Sequence, residues 1–229
     1  MALDVFIDGT TEVDLLRRMA VGAEGEGSAE QTNALCRAAV VLLVSHFESF
    51  LKTMAEEFVD VVGTGEVESS QLPRGLREIH TLPQLESILT SGDETQRSSL
   101  LKRLGGIAAL WNDTAKPPKG ALQATTLARI VTSAKPDVVN ELFSRMGNIR
   151  NVCDGDIDMT DASGDTSTTN IDLSLQDVVR CRNDIAHGKA ERKPTPDDVN
   201  RYLQFLRALS ERLQRKATTL AVKVTGEKV

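Results

Sequence analysis

A chain of 229 residues that is 40% apolar can bury one large core or two small ones, and its aromatic content of 3% argues against the base-stacking platforms of RNA-binding sheets. The net charge of −6 argues equally against broad electrostatic affinity for nucleic acid. The charge is uneven, however: residues 180–229 hold 12 Lys+Arg against 6 Asp+Glu, a net of +6, so a local anion site there is compatible with an acidic whole.

The N-terminal MALDVFIDGTTEVDLLRRM is acidic and has no apolar run of signal-peptide length. The longest uninterrupted apolar run, AAVVLLV at 38–44, is too short to span a bilayer, so a cytoplasmic protein with no membrane partner is expected. Residues 1–27 read as an arm, helical around Glu12 to Met19, that ends in the flexible Gly/Glu linker VGAEGEGSAE. From Ser28 the apolar positions Cys36, Val40, Leu43, Phe47, Phe50, Leu51, Met54 and Phe58 step by threes and fours, which predicts a long amphipathic helix ending near VVGTGEVESS. His46 on it reads as an ordinary helix histidine, because no second metal-type ligand stands at matching spacing, and His80 is read the same way.

The middle reads as shorter helices broken at LPRG, TLPQ, TSGD and KPPKG, with Leu100, Leu101, Leu104, Ile107, Ala108 and Trp111 as apolar spacing and Trp111 as core. A further helix begins at Pro136 and stops at Gly147. Asn148 to Asp172 is a polar, aspartate-rich stretch, expected to be a mobile or partner-dependent loop. Its DGDID fails as a calcium loop: with Asp154, Asp156 and Asp158 as ligands one, three and five, Met159 takes the glycine place and Asp165 the place of the bidentate glutamate. No metal and no cofactor are expected.

SLQDVVRCRNDIAHG is a compact helix signature, with Ser174 as cap, Asp177 at the capping-box position and Gly188 as stop. The last helix opens at TPDD, with Thr195 as cap, Pro196 in the first turn and Asp198 three residues on, and it continues through Tyr202, Leu206 and Leu213. A short strand is expected at TLAVKV. Cys36, Cys153 and Cys181 form no CxxC pair and are expected as buried thiols.

On the helix over RCRNDIAHGK the apolar stripe is Leu175, Val178, Val179, Ile185 and Ala186. Arg182 lies three and four residues from its members and so points toward the packed side, where a guanidinium needs an anionic or hydrogen-bonding partner. Arg180 aligns with Asp184 as a surface pair. His187 is five residues past Arg182, about 140° around a regular helix, so the two converge only if the helix ends or a second copy contributes. Asn183, one turn before His187, could orient the imidazole. Two readings of His187 stay open on these grounds: a cap of the last carbonyls, or a functional group titrating near neutrality.

RNDIAHG, after an amphipathic helix and before a last one, resembles the Arg-x4-His signature of the HEPN superfamily, and SHFESFLKTMAEEF resembles the long early helix of the branch with RiboL-PSP-associated HEPN domains. The resemblance implies an all-α, HEPN-like helical bundle over residues 28–216, with a long acidic loop before the motif helix and a C-terminal tail at 217–229. It also implies a metal-independent endoribonuclease acting as a homodimer through the motif helix. Arg182 would stabilise the scissile phosphate, His187 would exchange protons, Asn183 would support them, and Glu48 would orient Arg182. Such domains serve as toxins or anti-phage effectors, which makes RNA and an antitoxin or other defence protein the expected partners.

Relatives modified by a partner nucleotidyltransferase carry a tyrosine just past the histidine. Here Lys189 stands there and the only tyrosine is Tyr202, so that control is not expected. The residue chemistry agrees with the resemblance, since cleavage by RNA's own 2′-hydroxyl needs a group titrating near neutrality and a cation for the charge building on phosphorus. Lys189, Arg192 and Lys193 are expected to bind RNA phosphates. The alternative is a non-catalytic HEPN-like module that binds nucleotides or a partner protein.

Overall fold

The computed structural model describes residues 1–64, 66–160, 164 and 166–226. Residues 1–27, expected as an arm and flexible linker, are instead helical over most of their length: α1 is Ala2–Gly25. Its Phe6, Val13 and Ala20 are buried, a spacing of seven that places all three on one face. Arg207 ties this helix down by donating two hydrogen bonds, 2.9 and 2.6 Å, to the buried Thr10 hydroxyl. The periodicity was legible only around Glu12 to Met19 because glycines and threonines interrupt it.

α2 (Ala29–Val62) follows the expected spacing, and Cys36, Val40, Leu43, Phe47, Phe50 and Leu51 are all buried. By length and composition it is apolar enough to cross a membrane, a test that the core helix of a globular domain also passes. Phe6, Phe47 and Phe50 form an aromatic cluster with ring centroids 5.6–5.9 Å apart. A Cβ at Gly9 would stand 2.8 Å from His46 Nδ1, so glycine is what allows α1 to approach the imidazole this closely.

The chain divides into two compact units. Met1–Leu51, Val131–Val139 and Val152–Gln214 form the first, and Lys52–Ile130, Asn140–Asn151 and the chain from Arg215 onward form the second. In the second unit α3 (Arg74–Thr90) packs against α4 (Glu94–Leu101), α5 (Leu104–Leu110) and α6 (Ala124–Ala128). Contrary to the expected break at TLPQ, α3 runs through Pro83; the Gln84 side chain donates to the His80 carbonyl and supports the turn. His80 is buried and satisfied at both nitrogens, by the Leu76 carbonyl and the Gln123 backbone. Trp111 is not core: it is 42% exposed, donates to Thr81 and lies under the Arg77 guanidinium.

α7 (Pro136–Arg145) stops at Gly147, whose φ is +94°, as its sequence position implied. The acidic stretch contains a hairpin rather than loop alone: β1 (Asp156–Thr160) pairs antiparallel with β2 (Thr166–Asn170), Asp156 opposite Asn170. The reason is a period of two, with Ile157 and Met159 buried and Asp156 and Asp158 outward, facing a strand rich in β-branched threonine. Asp158 accepts from Thr168 and Asp156 from Asn170, so these carboxylates serve the hairpin. Asp165, the last place in the calcium test, lies outside the described residues.

α8 (Ile171–Ala186) starts one turn earlier than expected, because Asn170 and not Ser174 caps it, accepting from Leu173 N at 3.1 Å; Ser174 bonds Thr169 instead. α9 (Pro196–Thr225) has the expected reciprocal cap between Thr195 and Asp198, at 3.0–3.1 Å. It continues through the segment expected as a strand and as a tail, since Leu220, Ala221 and Val224 carry its buried stripe onward.

All three cysteines are buried and none is in a disulfide, and burial pushes Cys36 up to about 11 and Cys153 up to about 12.

Phe47 is fully buried within the aromatic cluster. Phe47→Ala is expected to lower stability by about 3–5 kcal/mol in urea denaturation; a loss under about 1 kcal/mol would contradict this packing.

Candidate functional site

α8 places its basic motif in the first compact unit, and every residue considered below belongs to that unit. Leu175, Val178, Val179 and Cys181 are buried. That stripe holds the helix and turns the neighbouring Arg182 to a half-buried position, its side chain 25% exposed, against Glu48 of α2, 20% exposed. Arg182 Nη2 donates to Glu48 Oε1 in a close ion pair. The same carboxylate oxygen accepts from Ala134 N at 3.2 Å, so a backbone amide holds Glu48 in turn. Arg182 Nη1 donates to Asn183 Oδ1 at 3.0 Å.

Asn183 therefore supports the arginine. No bond from its amide to His187 is present among the described residues, in contrast to the expected orientation of the imidazole. Geometry explains the choice: at the surface of the helix the flexible guanidinium folds over its neighbour, while Asn183 engages His187 through the backbone, its carbonyl accepting from His187 N at 2.9 Å.

His187 is the C-cap of α8, with φ −85° and ψ 9°, and its side chain is exposed. Gly188 N bonds the Ile185 carbonyl at 3.0 Å and Lys189 N bonds Asp184 at 2.9 Å, the paired closure of a helix by a residue in the left-handed region. Gly188 supplies that residue with φ +74°.

Four further candidates have distinct surroundings. Arg180 is exposed and is not the partner of Asp184. The reversal at Gly188 brings Lys189 back instead, and its Nζ pairs with Asp184 at 2.7 Å, which holds that carboxyl below its usual range. Arg192 turns inward: Nη2 donates to Asp177 Oδ1 at 3.2 Å and to Tyr202 Oη at 3.1 Å. Tyr202 donates to Asp177 Oδ2 at 2.7 Å, and burial together with that bond raises its phenol. Lys193 is exposed.

Of the residues singled out in the sequence, the structure thus joins Arg182, Asn183 and Glu48 in one contact network. His187 and Lys193 stand at the surface, and Lys189 and Arg192 are engaged within the chain. His46 is 3.7 Å from Glu12 Oε2, between α1 and α2. Among the described residues no group of three His, Cys, Asp or Glu side chains is arranged to hold a metal ion.

Sequence reasoning missed Arg37. Its guanidinium donates to the carbonyls of Lys189 and Arg192, each at 3.1 Å, and of Ile185 at 3.5 Å. No local pattern marks an arginine that finds its acceptors more than a hundred residues away.

A helical bundle whose penultimate helix carries Arg182 and ends on His187, with a carboxylate of an early long helix on the arginine, has the organisation of a HEPN domain. The family model RiboL-PSP-HEPN matches residues 13–218, and the chain belongs to that family. Membership ties it to nuclease or RNA-related function. No curated protein and no solved structure matches the chain.

The ion pair makes a measurable prediction. Glu48→Ala leaves a half-buried guanidinium without its anion and is expected to cost about 1.5–3 kcal/mol. In a cycle with Arg182→Ala the two changes are expected to be coupled by about 1–2 kcal/mol in urea denaturation; strict additivity would show that the pair contributes nothing.

Proposed function

We propose that this protein is a metal-independent endoribonuclease, a cytoplasmic toxin or anti-phage effector that cleaves RNA by attack of its own 2′-hydroxyl. The observation that carries the reading is a motif arginine held by Glu48 and Asn183 on the helix that ends at an exposed histidine. A guanidinium fixed on one side keeps its remaining donors for a phosphate, and an exposed imidazole is free to meet a substrate.

In this reading an imidazole takes the proton of the 2′-hydroxyl. The O2′–P bond forms, the P–O5′ bond breaks, and the leaving O5′ takes a proton from an imidazolium, so that no net proton is consumed. The products are a 2′,3′-cyclic phosphate end and a 5′-hydroxyl end. Arg182 offsets the negative charge that grows on the phosphoryl oxygens. Lys193, exposed just past the motif, would meet flanking phosphates, and the pairing of Lys189 with Asp184 would leave Lys189 a smaller part. An antitoxin or other defence protein would restrain the activity.

Arg182 and His187 of one chain lie far apart around the helix, so two copies, each giving its motif helix, form a complete centre more readily than one. Light scattering at micromolar concentration is expected to report a dimer, and a strict monomer would count heavily against a shared site.

Purified protein with mixed RNA tests the chemistry. Cleavage that persists in EDTA and leaves cyclic phosphate ends is expected, with DNA resistant for lack of the 2′-hydroxyl. His187→Ala and Arg182→Ala should each lower the rate by about a hundredfold or more, Asn183→Ala by less, and Arg180→Ala hardly at all, with helical content kept throughout. Cleavage surviving His187→Ala would refute the assignment, and RNA left intact by the wild type would favour a binding module.

A further inference from the structure

We propose that Arg37 is a positioning residue for His187: by holding the carbonyls on either side of it, this guanidinium fixes where the imidazole stands. The catalytic part of the proposal rests on the ribonuclease reading above.

Arg37 and Glu48 are eleven residues apart on α2, close to three full turns, so they share one face of that helix about 16 Å apart along its axis. α8 meets this face at two points. Glu48 holds Arg182, and Arg37 holds the chain around His187. Ile185 and Lys189, whose carbonyls Arg37 binds, are two residues before and two residues after His187. The Ile185 carbonyl already accepts Gly188 N, and its second lone pair is what Arg37 uses.

From the other side, the Arg192 side chain is held by Asp177 and Tyr202 while its carbonyl is held by Arg37. The segment from Ile185 to Arg192 is therefore anchored through backbone and side chain alike. His187 has no side-chain bond of its own among the described residues, so its position is that of its backbone.

A planar fork suits this task. The contacts are spread over two nitrogens of one plane, Nη1 to the Lys189 and Arg192 carbonyls and Nη2 to that of Ile185, a fixed spread that the single nitrogen of an ammonium, with its rotatable donors, does not reproduce. A simple cap acting through charge at the helix C-terminus would be served by either. Lysine at position 37 separates the two roles.

The experiment compares wild type, Arg37→Lys and Arg37→Ala by amide exchange, by the NMR signals of the His187 ring, and by RNA cleavage. In Arg37→Ala, amides from Gly188 to Arg192 are expected to exchange about tenfold faster or more while Val178–Arg182 stay protected, and the imidazole signal should shift and sharpen. The kcat should fall about tenfold to a hundredfold with KM nearly unchanged, as for a displaced catalytic group. Arg37→Lys should recover only part of both.

Unchanged exchange and ring signals in Arg37→Ala would overturn the proposal, as would full recovery by lysine. A kcat equal to that of the wild type would do so too. If Arg37→Ala fails to fold, Arg37→Lys decides by the same readouts. A wild type that cleaves no RNA would strike the ribonuclease reading, whereas the exchange and ring signals would still judge the clamp.

Discussion

Arg182 sits where a helix turns its packed side to the protein, and a guanidinium drawn partly out of water requires an anion or a set of acceptors. Glu48 meets that need, and Ala134 N and Asn183 complete the contact. Because Glu48 stands on α2 with buried residues before and after it, the ion pair fixes which face of α8 looks at α2. The positions of Asn183, His187 and Gly188 follow from that orientation. Glu48 and Asn183 take one donor on each terminal nitrogen of Arg182, and a guanidinium with five N–H groups keeps others beyond these two contacts.

The end of α8 is as defined as its middle. Gly188 in the left-handed region stops the helix, returns Lys189 to Asp184 and leaves His187 at the rim. One basic cluster in the sequence thus separates into groups with different surroundings. Lys189 is neutralised by a neighbour and Arg192 is drawn into the Asp177–Tyr202 network, while Lys193 and Arg180 remain exposed. Net charge along a segment therefore overstates the charge available to a ligand, because folding pairs part of it internally.

Much of the architecture was written in the sequence. The stepping of Cys36, Val40, Leu43 and Phe47, the Thr195–Asp198 cap and the stops at Gly147 and Gly188 are local signals, set by periodicity and backbone freedom, and the helices obey them. The motif around Arg182 and His187 is local as well, and it named the family. What local reading could not resolve were competing short signals: α1 behind its glycines, Pro83 within α3, and the hairpin hidden in an aspartate-rich stretch where only Ile157 and Met159 mark the buried face.

The partners of the motif are a different matter. Glu48 reaches Arg182 across 134 positions and Arg37 reaches Lys189 across 152. Such pairings depend on which helix faces pack, and packing is decided by the summed burial of many side chains rather than by any segment alone. The sequence by itself determined the helices, the basic motif and the family. The tertiary structure alone decided that Asn183 serves the arginine, that Arg192 is internal, and that a single face of α2 holds both ends of the motif.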